Sequence, residues 1–327
     1  MMSPEEIMSQ ASHPGPADPQ TNRRKKYMIY GGIAAVILIS IISISVVVSG
    51  NKKEDSVMVD LRSMISSTLS KEGIDTSGLS NGNTAQGKAM NWIYSQNDLA
   101  TMDRSQILQR YALATFYYST YQVQTLYTPS PPKWTSSILW LSAVNECEWE
   151  GVQCTDRLKV NGISLENNSL TGKVPGDLVL LREHLVSLDL TTNLLYMTDV
   201  DFVFLRSLTK LETILMDDNY LTTDAGLPSS LGACTDLKKI RLSYNLFGGS
   251  LSDDLFQKLT KLTHLEMESN FLEGDMPASI GDLSNLVYLY MRRNSMTFKL
   301  NFLKSGNMES LCKFITYCMH YGSVVRL

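Results

Sequence analysis

The chain has 327 residues and a formal net charge of −4 at pH 7, from 29 basic and 33 acidic residues. This length suits one elongated repeat domain with accessory segments, or about two compact domains. The charges are spread along the chain, which argues against a nucleic-acid partner because such partners usually need a concentrated basic face. Five cysteines are few for a small scaffold held together by disulfides.

An uncharged apolar run covers residues 27–49 and directly follows four positive charges at residues 23–26. A run of this length can cross a bilayer as a helix. Because Lys and Arg favour the cytosolic side, residues 1–26 should form a disordered cytosolic tail, and the rest should face the lumen or the cell exterior. The alternative is a signal peptide cleaved near Ser49. We favour a single-pass type II membrane protein of the cell surface or secretory pathway.

Residues 50–87 are rich in Ser, Gly, Asn and Thr, and this composition predicts a flexible stalk. A helical segment and an N-terminal cap are expected over residues 88–159. Asp103 and Gln106 fit a capping box, and apolar residues recur at helical intervals from Ile107 onward. The tyrosines of this helix share that spacing, which favours a buried helix face over a ligand platform.

The strongest pattern is an asparagine that recurs every 24 to 26 residues within the string hydrophobic-x-hydrophobic-x-x-Asn. The ladder residues are Asn168, Asn193, Asn219, Asn245, Asn270 and Asn294. The two alternate apolar residues predict one short strand per unit, followed by a turn whose backbone groups the asparagine amide would satisfy. One unit cannot bury its apolar face alone. About six units over residues 160–298 should therefore stack as a curved α/β solenoid.

Short motifs in and before the repeats resemble known sequences. The string LTGKVP at residues 170–175 looks like the L-T-G-x-I-P piece of plant-type leucine-rich repeats, and residues 274–277 echo it. Residues 147–154 resemble the N-terminal cap of plant leucine-rich-repeat ectodomains, in which two cysteines pair. The preceding residues 107–115 resemble a segment in leucine-rich-repeat proteins of diatoms and related algae. The resemblance implies a leucine-rich-repeat horseshoe with a disulfide in its N-terminal cap.

Cys147 and Cys154 lie in a short, turn-like stretch, which also suits a local disulfide in an oxidising compartment. Cys234 lies inside a repeat and is expected to be a buried free thiol. The repeat pattern fails after the last ladder asparagine, and no recognisable C-terminal cap follows. Residues 299–327 would be an irregular tail that covers the last unit, with a Cys312–Cys318 link, or would reflect an incomplete gene model.

The concave strand face is the expected ligand-binding surface, because the side chains between the inward apolar pair point outward there. The candidate ligand-binding residues are Asp189, Asp217, Lys239, Arg241, Tyr244, His264, Glu266, Glu268, Tyr288, Tyr290 and Arg292. Acidic residues dominate the first repeats, whereas tyrosines and mixed charges follow. Tyr and Arg are the residue types that most often anchor interfaces.

The row His264-x-Glu266-x-Glu268 also fits a metal site. We favour cross-strand ion pairs instead, in which Glu266 lies beside Arg241 and Glu268 lies beside Arg292. No metal is therefore expected.

Asn167 begins the one N-x-S/T sequon of the chain. If the repeats are lumenal, this residue would carry a glycan unless the neighbouring Asn168 blocks access.

The sequence assembles no nucleophile, base and orienting carboxylate, and it has no phosphate-binding glycine loop, so neither an enzyme nor a cofactor is expected. The leading hypothesis is a membrane-anchored recognition module of receptor-like, co-receptor or adhesion type. It would bind a protein, peptide or glycan and signal through a co-receptor. A second hypothesis is a secreted inhibitor of an extracellular hydrolase, similar to some plant repeat proteins. A degraded gene product without a binding function is the third.

Overall fold

A computed structural model of the protein describes residues 60–297. The predicted cytosolic tail, membrane segment and C-terminal tail lie outside these residues, as does the Cys312–Cys318 link. Within the described range, no helix combines the length and the apolar character needed to cross a membrane. The chain divides into two compact units, Met1–Leu61 and Arg62–Leu327, and the features below belong to the second.

Within the described residues, three α-helices precede the repeats, namely α1 (residues 62–71 of this unit), α2 (Ala85–Tyr94) and α3 (Arg104–Thr120). The 3-10 helices Ser77–Ser80, Leu99–Thr101 and Glu146–Glu148 lie between these helices or after them. The Thr84 side chain accepts a hydrogen bond at the start of α2, and the Asp103 side chain accepts one from the backbone N–H of Gln106 at the start of α3. Such caps satisfy backbone donors that a helix leaves unpaired at its first turn. The start of α3 agrees with the sequence prediction.

The described part of the segment before α2 is packed, which differs from the flexible stalk predicted over residues 50–87. Ile65 and Leu69 of α1 are fully buried. A Cβ atom on Gly87 would lie only 1.9 Å from the carbonyl oxygen of Asn81. Glycine is therefore present here because two backbone segments pack closely. Composition alone could not distinguish this role from that of a linker.

Two parallel sheets run along the repeats, whereas the sequence predicted one strand per unit. The first sheet has the order β1-β2-β4-β6-β8-β10-β12, and only the β1–β2 pair is antiparallel. Its strands are β1 Val152–Cys154, β2 Val160–Ser164, β4 Ser187–Asp189, β6 Thr213–Leu215, β8 Lys239–Arg241, β10 His264–Glu266 and β12 Tyr288–Tyr290.

The second sheet has the order β13-β11-β9-β7-β5-β3. Its strands are β3 Thr171–Gly172, β5 Leu194–Met197, β7 Tyr220–Thr223, β9 Leu246–Ser250, β11 Phe271–Asp275 and β13 Ser295–Thr297. Short helical segments complete the repeats, namely the 3-10 helices Gly176–Leu181, Asp199–Ser207, Ser229–Ala233 and Ala278–Asp282, and the α-helix α4 (Asp253–Phe256). The second strand arises because the chain continues in extended form after each ladder asparagine.

A continuous apolar core lies between these layers. Each of the strands β2, β4, β6, β8, β10 and β12 points one apolar residue inward that is at most 9% exposed. These residues are Ile163, Leu188, Ile214, Ile240, Leu265 and Leu289. The apolar residues two positions after the ladder asparagines are fully buried, namely Leu170, Leu195, Leu221, Phe247 and Leu272. Stacking of the units therefore buries what a single unit would expose.

Each ladder asparagine connects its own turn to the preceding repeat. In Asn245 the Oδ1 atom accepts from the backbone N–H of Leu221 at 3.0 Å. Its Nδ2 atom donates to the carbonyl oxygen of Met216 at 2.9 Å and to that of Leu242 at 3.2 Å. Asn193, Asn219, Asn270 and Asn294 make the same set of contacts. The first residue of the ladder, Asn168, bonds instead to the backbone of Ser136 in the cap.

The N-terminal cap is joined to the repeats by consecutive residues of α3. Gln109 donates to the Glu146 carboxylate at 2.9 Å and accepts from the backbone N–H of Val160 at 2.9 Å. Arg110 donates to the carbonyl oxygen of Ser142 at 2.8 Å. Both side chains are buried, so α3 lies in the core of the cap. Burial raises the pKa of Glu146 above its ordinary value.

The next residue of α3 contacts the first repeat. The Tyr111 hydroxyl donates to Asp177 at 2.9 Å, and Gln86 of α2 donates to the same carboxylate at 3.1 Å. Asp177 is only 3% exposed. Burial raises its pKa to about 6, although the hydrogen bonds from Tyr111 and Gln86 oppose that shift. A single buried carboxylate thus connects both helices to the repeats.

All four tryptophans of the chain pack in the cap. The ring centroid of Trp149 lies 5.6 Å from that of Trp92 and 5.3 Å from that of Trp140. Trp140 in turn lies 5.0 Å from Trp134. The guanidinium carbon of Arg110 lies 5.6 Å from the Trp149 centroid, within range of a cation–π interaction. The aromatic cluster forms a second core, beside that of the repeats.

Candidate functional site

The outward side chains of β2, β4, β6, β8, β10 and β12, together with those of the turns that follow, form one surface, here named the strand face. The strand register places Lys239, His264 and Tyr288 side by side. It places Asp189, Leu215, Arg241, Glu266 and Tyr290 in a second, parallel row. The structure therefore brings seven of the candidate ligand-binding residues onto one face of one sheet, and it places the other four in the turns that follow the strands, namely Asp217, Tyr244, Glu268 and Arg292.

Aromatic rings lie at the C-terminal end of this face. The His264 ring stacks on Tyr288 with 4.4 Å between centroids, and Tyr288 lies 6.4 Å from Tyr290. Tyr288 is 44% exposed and Tyr244 is 48% exposed. Such tyrosines give a large contact area at a small cost in side-chain entropy, so they are suited to anchor a partner.

Ion pairs connect neighbouring repeats across the strand face. Arg241 Nη2 lies 2.7 Å from Asp217, and Arg241 Nε lies 3.6 Å from Glu266. Arg292 Nη2 lies 2.9 Å from Glu268. Both ion pairs predicted from the sequence are present.

The His264 ring makes one polar contact and one stacking contact. Its Nδ1 atom lies 2.8 Å from the Thr263 hydroxyl, and its ring stacks on Tyr288. Partial burial, together with the charge of Lys239, lowers the pKa of His264. Across residues 60–297, no group of three or more side chains has a metal-binding arrangement.

Asp217 is the most buried ionisable group of the strand face, with 5% exposure. Burial raises its pKa to about 6, and the Arg241 charge and the backbone N–H of Ser243 oppose the shift. The Ser243 N–H donates to it at 2.7 Å. The ion pair with this carboxylate positions the Arg241 side chain, which stays partly exposed at the surface.

The first repeats present a different chemistry. Asp189 is half-buried and accepts from the backbone N–H of Thr191 at 3.1 Å, whereas Glu166 and Asp218 are exposed. None of the described outward residues of β2, β4 and β6 is Lys or Arg. The strand face is therefore acidic at its N-terminal end and aromatic with mixed charge at its C-terminal end.

The residue before each ladder asparagine adopts a positive φ angle in all six repeats. These residues are Asn167, Thr192, Asp218, Tyr244, Ser269 and Arg293, with φ between 52° and 56°. Asn and Asp tolerate this left-handed conformation, but bulky side chains adopt it only at a cost of about 1–2 kcal/mol. The repeat pattern in the sequence does not reveal this left-handed conformation. The available signal is that the residue before the asparagine recurs at a fixed position.

The structure also describes three cysteines and one asparagine for which the sequence supports a prediction. Cys147 and Cys154 form a disulfide, as predicted. Cys234 is a buried free thiol, also as predicted, and burial raises its pKa to about 12. Asn167 is exposed, while the adjacent ladder residue Asn168 is buried. Glycosylation of Asn167 stays a prediction.

Parts of the chain are similar in sequence to known proteins. Residues 235–296 match the family model described as leucine rich repeat. Over 193 residues the chain is 33% identical to receptor-like protein kinase BRI1-like 3 of Arabidopsis thaliana, covering 58% of this chain and 16% of that protein. Over 156 residues it is 30% identical to receptor-like protein 1 of the same plant, covering 46% of this chain and 13% of that protein.

Among solved structures, the chain is similar to the leucine-rich-repeat ectodomain of the plant membrane receptor kinase GASSHO1/SCHENGEN3 from Arabidopsis thaliana, in complex with Casparian strip integrity factor 2. The match has 28% identity and a TM-score of 0.44, and it covers 47% of this chain and 18% of that chain. The chain thus spans less than one fifth of the length of these relatives. Residues 235–296 thus match the leucine-rich-repeat family model, and part of the chain is similar in sequence to plant receptor-like proteins.

Proposed function

We propose that the protein is a recognition module without catalytic activity, and that it binds an extended peptide segment of a protein partner on the strand face. The observation that carries this proposal is the conformation of Tyr244 and Arg293. Both bulky side chains lie at the left-handed turn position, which Asn167, Thr192, Asp218 and Ser269 occupy in the other repeats. Strain of this kind persists where the surrounding structure imposes it and often marks functional sites.

The chemistry of the strand face defines the ligand more closely. Neighbouring strands lie about 4.8 Å apart, so a segment that crosses the five strands from β4 to β12 would span about 19 Å, or about six extended residues. The exposed rings of Tyr244 and Tyr288 would contact apolar or aromatic side chains of the ligand. The acidic end around Asp189 and Asp218 would face its basic residues.

The two curated relatives are receptor-like proteins, which supports a recognition role in general. We infer an extracellular or lumenal location for the repeats, with partners that include a signalling co-receptor.

Peptide selection on the full-length protein tests the binding function. A random octapeptide display library is enriched on the protein, and the affinities of the enriched peptides are measured in solution. Combined Tyr288→Ser and Tyr290→Ser substitutions should weaken binding at least about tenfold, because aromatic anchors dominate such interfaces. Tyr196→Ser on the second sheet is the matched control and should leave the affinity unchanged. Absence of enrichment, or equal losses in both variants, would refute the proposal.

We also propose that residues 27–49 anchor the protein in a membrane as a type II span, because four basic residues precede this apolar run. Membrane fractionation and protease protection of the expressed protein test the anchor. An integral protein whose repeats are protected inside sealed microsomes would support it. A soluble product that starts near residue 50 would contradict it and favour a secreted inhibitor.

A further inference from the structure

A cleft of about 560 Å³ lies between α2, the end of α3 and the first strands of the second sheet. Its walls include Asn83 and Lys88 at the start of α2, Tyr118 near the end of α3, and Lys173 and Tyr196 beside the second sheet. This volume lies within the usual range of small-ligand sites. The α2 residues fall in or beside the segment that composition had assigned to a stalk.

The ionisable groups that line the cleft favour an anion. Lys88 and Lys173 both line it, and none of its described lining residues is Asp or Glu. Lys173 Nζ is paired with Asp201 at 2.9 Å, and Lys88 is exposed in the first turn of α2. The amino end of that ten-residue helix adds positive potential at the same wall.

Aromatic side chains form another wall of the cleft and part of its rim. Lys173 Nζ lies 6.0 Å from the centroid of Tyr196. The Tyr127 ring stacks on Tyr220 with 4.8 Å between centroids and lies 5.3 Å from Tyr196. Leu126, beside it, is 80% exposed. A ligand that enters the cleft would therefore meet ring faces as well as positive charge.

The polypeptide backbone beside the cleft is already occupied, which argues against a peptide strand as the ligand. Strand β3 lies at the edge of the second sheet. The Thr171 hydroxyl accepts from the backbone N–H of Val123 at 2.7 Å, and a Cβ on Gly172 would lie 2.5 Å from the carbonyl oxygen of Ser119. Addition of a strand at this edge would need that contact to open.

We propose that this cleft binds an acidic oligosaccharide, a sugar chain with carboxylate or sulfate groups. Lys88 would pair with an acidic group, and Lys173 would add positive charge from its position beside Asp201. The tyrosine rings would pack on sugar faces, and side-chain amides such as Asn83 and Gln124 would bond to hydroxyl groups. This site is separate from the strand face and does not depend on peptide binding there.

Isothermal titration of the full-length protein tests the proposal with three probes. The probes are a tetragalacturonate, a heparin-derived tetrasaccharide and the neutral cellotetraose. At least one acidic probe should bind, and the neutral probe should not; the two acidic probes distinguish carboxylate from sulfate recognition. Absence of binding by both acidic probes, or equal binding of cellotetraose, would overturn the proposal.

Two lysine variants locate the bound sugar. Lys88→Gln should weaken the acidic probe about tenfold, the loss expected for one charge-assisted hydrogen bond. Lys239→Gln removes the same charge from the strand face and should have no effect. Equal weakening by both variants would show diffuse attraction and overturn the site. Lys88-dependent binding of an octaglutamate peptide, without binding of the acidic sugars, would likewise overturn it in favour of an acidic peptide.

Discussion

The N-terminal cap and the repeats are stabilised in different ways. In the repeats the same contacts recur, since each ladder asparagine bonds to the turn before it and each strand buries one apolar residue. In the cap every contact occurs once, such as the bond of Gln109 to Glu146 and that of Tyr111 to Asp177. Loss of one contact in the repeats can therefore be shared by its neighbours, whereas the cap has no second copy of any contact.

The largest expected effect is in the aromatic core of the cap. Trp149 is 1% exposed and packs against two other tryptophans, so Trp149→Ala should cost about 3–5 kcal/mol of unfolding free energy. Urea denaturation followed by circular dichroism measures this loss. Val200→Ala, at a 75% exposed position, is the control and should change stability little. A loss below about 1 kcal/mol in Trp149→Ala would mean that the cap is not a tightly packed core.

In the repeats, Asn245→Ala should cost about 3–4 kcal/mol, because four buried hydrogen bonds are lost at about 1 kcal/mol each. Asn285→Ala, which removes one exposed bond to Thr260, is the matched control and should cost less than about 1 kcal/mol. Both losses are read from denaturant midpoints. Equal losses would show that the ladder contributes no more than a surface contact.

Stability should fall as pH rises from about 4 to 6, by up to about 3 kcal/mol for Asp177. Its pKa is raised to about 6 in the folded state by burial, so the folded protein keeps a proton that the unfolded chain releases. Asp177→Asn should reduce this dependence, and the raised pKa of Asp217 should leave a smaller fall in place. Asp236→Asn removes an exposed carboxylate whose pKa the bond to Lys261 lowers, and it should leave the fall in place. The measurement is the urea midpoint at several pH values, and an unchanged slope in Asp177→Asn would contradict the assignment.

The smallest expected effect is a gain of stability on the strand face. Tyr244→Asn should stabilise the protein by about 1 kcal/mol, because asparagine tolerates the left-handed conformation. The same substitution should weaken peptide binding, since it removes an exposed ring. Thermal unfolding and peptide affinity are measured together. Thr192→Asn changes the same turn position near the acidic end and should leave affinity for the C-terminal anchors intact. If Tyr244→Asn gains stability and keeps its full affinity for the peptide, the backbone strain at this position has no role in peptide binding.

The sequence predicts the repeats well because their contacts are periodic. The spacing from Asn168 to Asn294 identifies the stacked units, and strand alternation places Arg241 beside Glu266. The sequence does not predict the second sheet, because only one apolar position after the asparagine recurs in the units, as at Leu221, and one position is too few to show alternation. The packed segment around Leu79 was also missed, because Gly and Ser favour both linkers and tight packing.

Contacts that occur once left no signal in a single sequence. The buried carboxylate of Asp177 lies 66 positions from its partner Tyr111, and no pattern connects the two. The cleft beside α2 was missed for the same reason, as Lys88 and Lys173 are brought together only by the packing of the cap on the first repeat.

Photo-crosslinking is the most direct test of the strand face as the ligand-binding surface. An enriched octapeptide that carries a central benzoylphenylalanine is irradiated with the full-length protein, and the adducts are mapped by mass spectrometry. We expect the adducts within Lys239–Arg241, His264–Glu266 and Tyr288–Tyr290 and in the turns that follow these strands. Adducts confined to the second sheet or to the 3-10 helices would contradict the account.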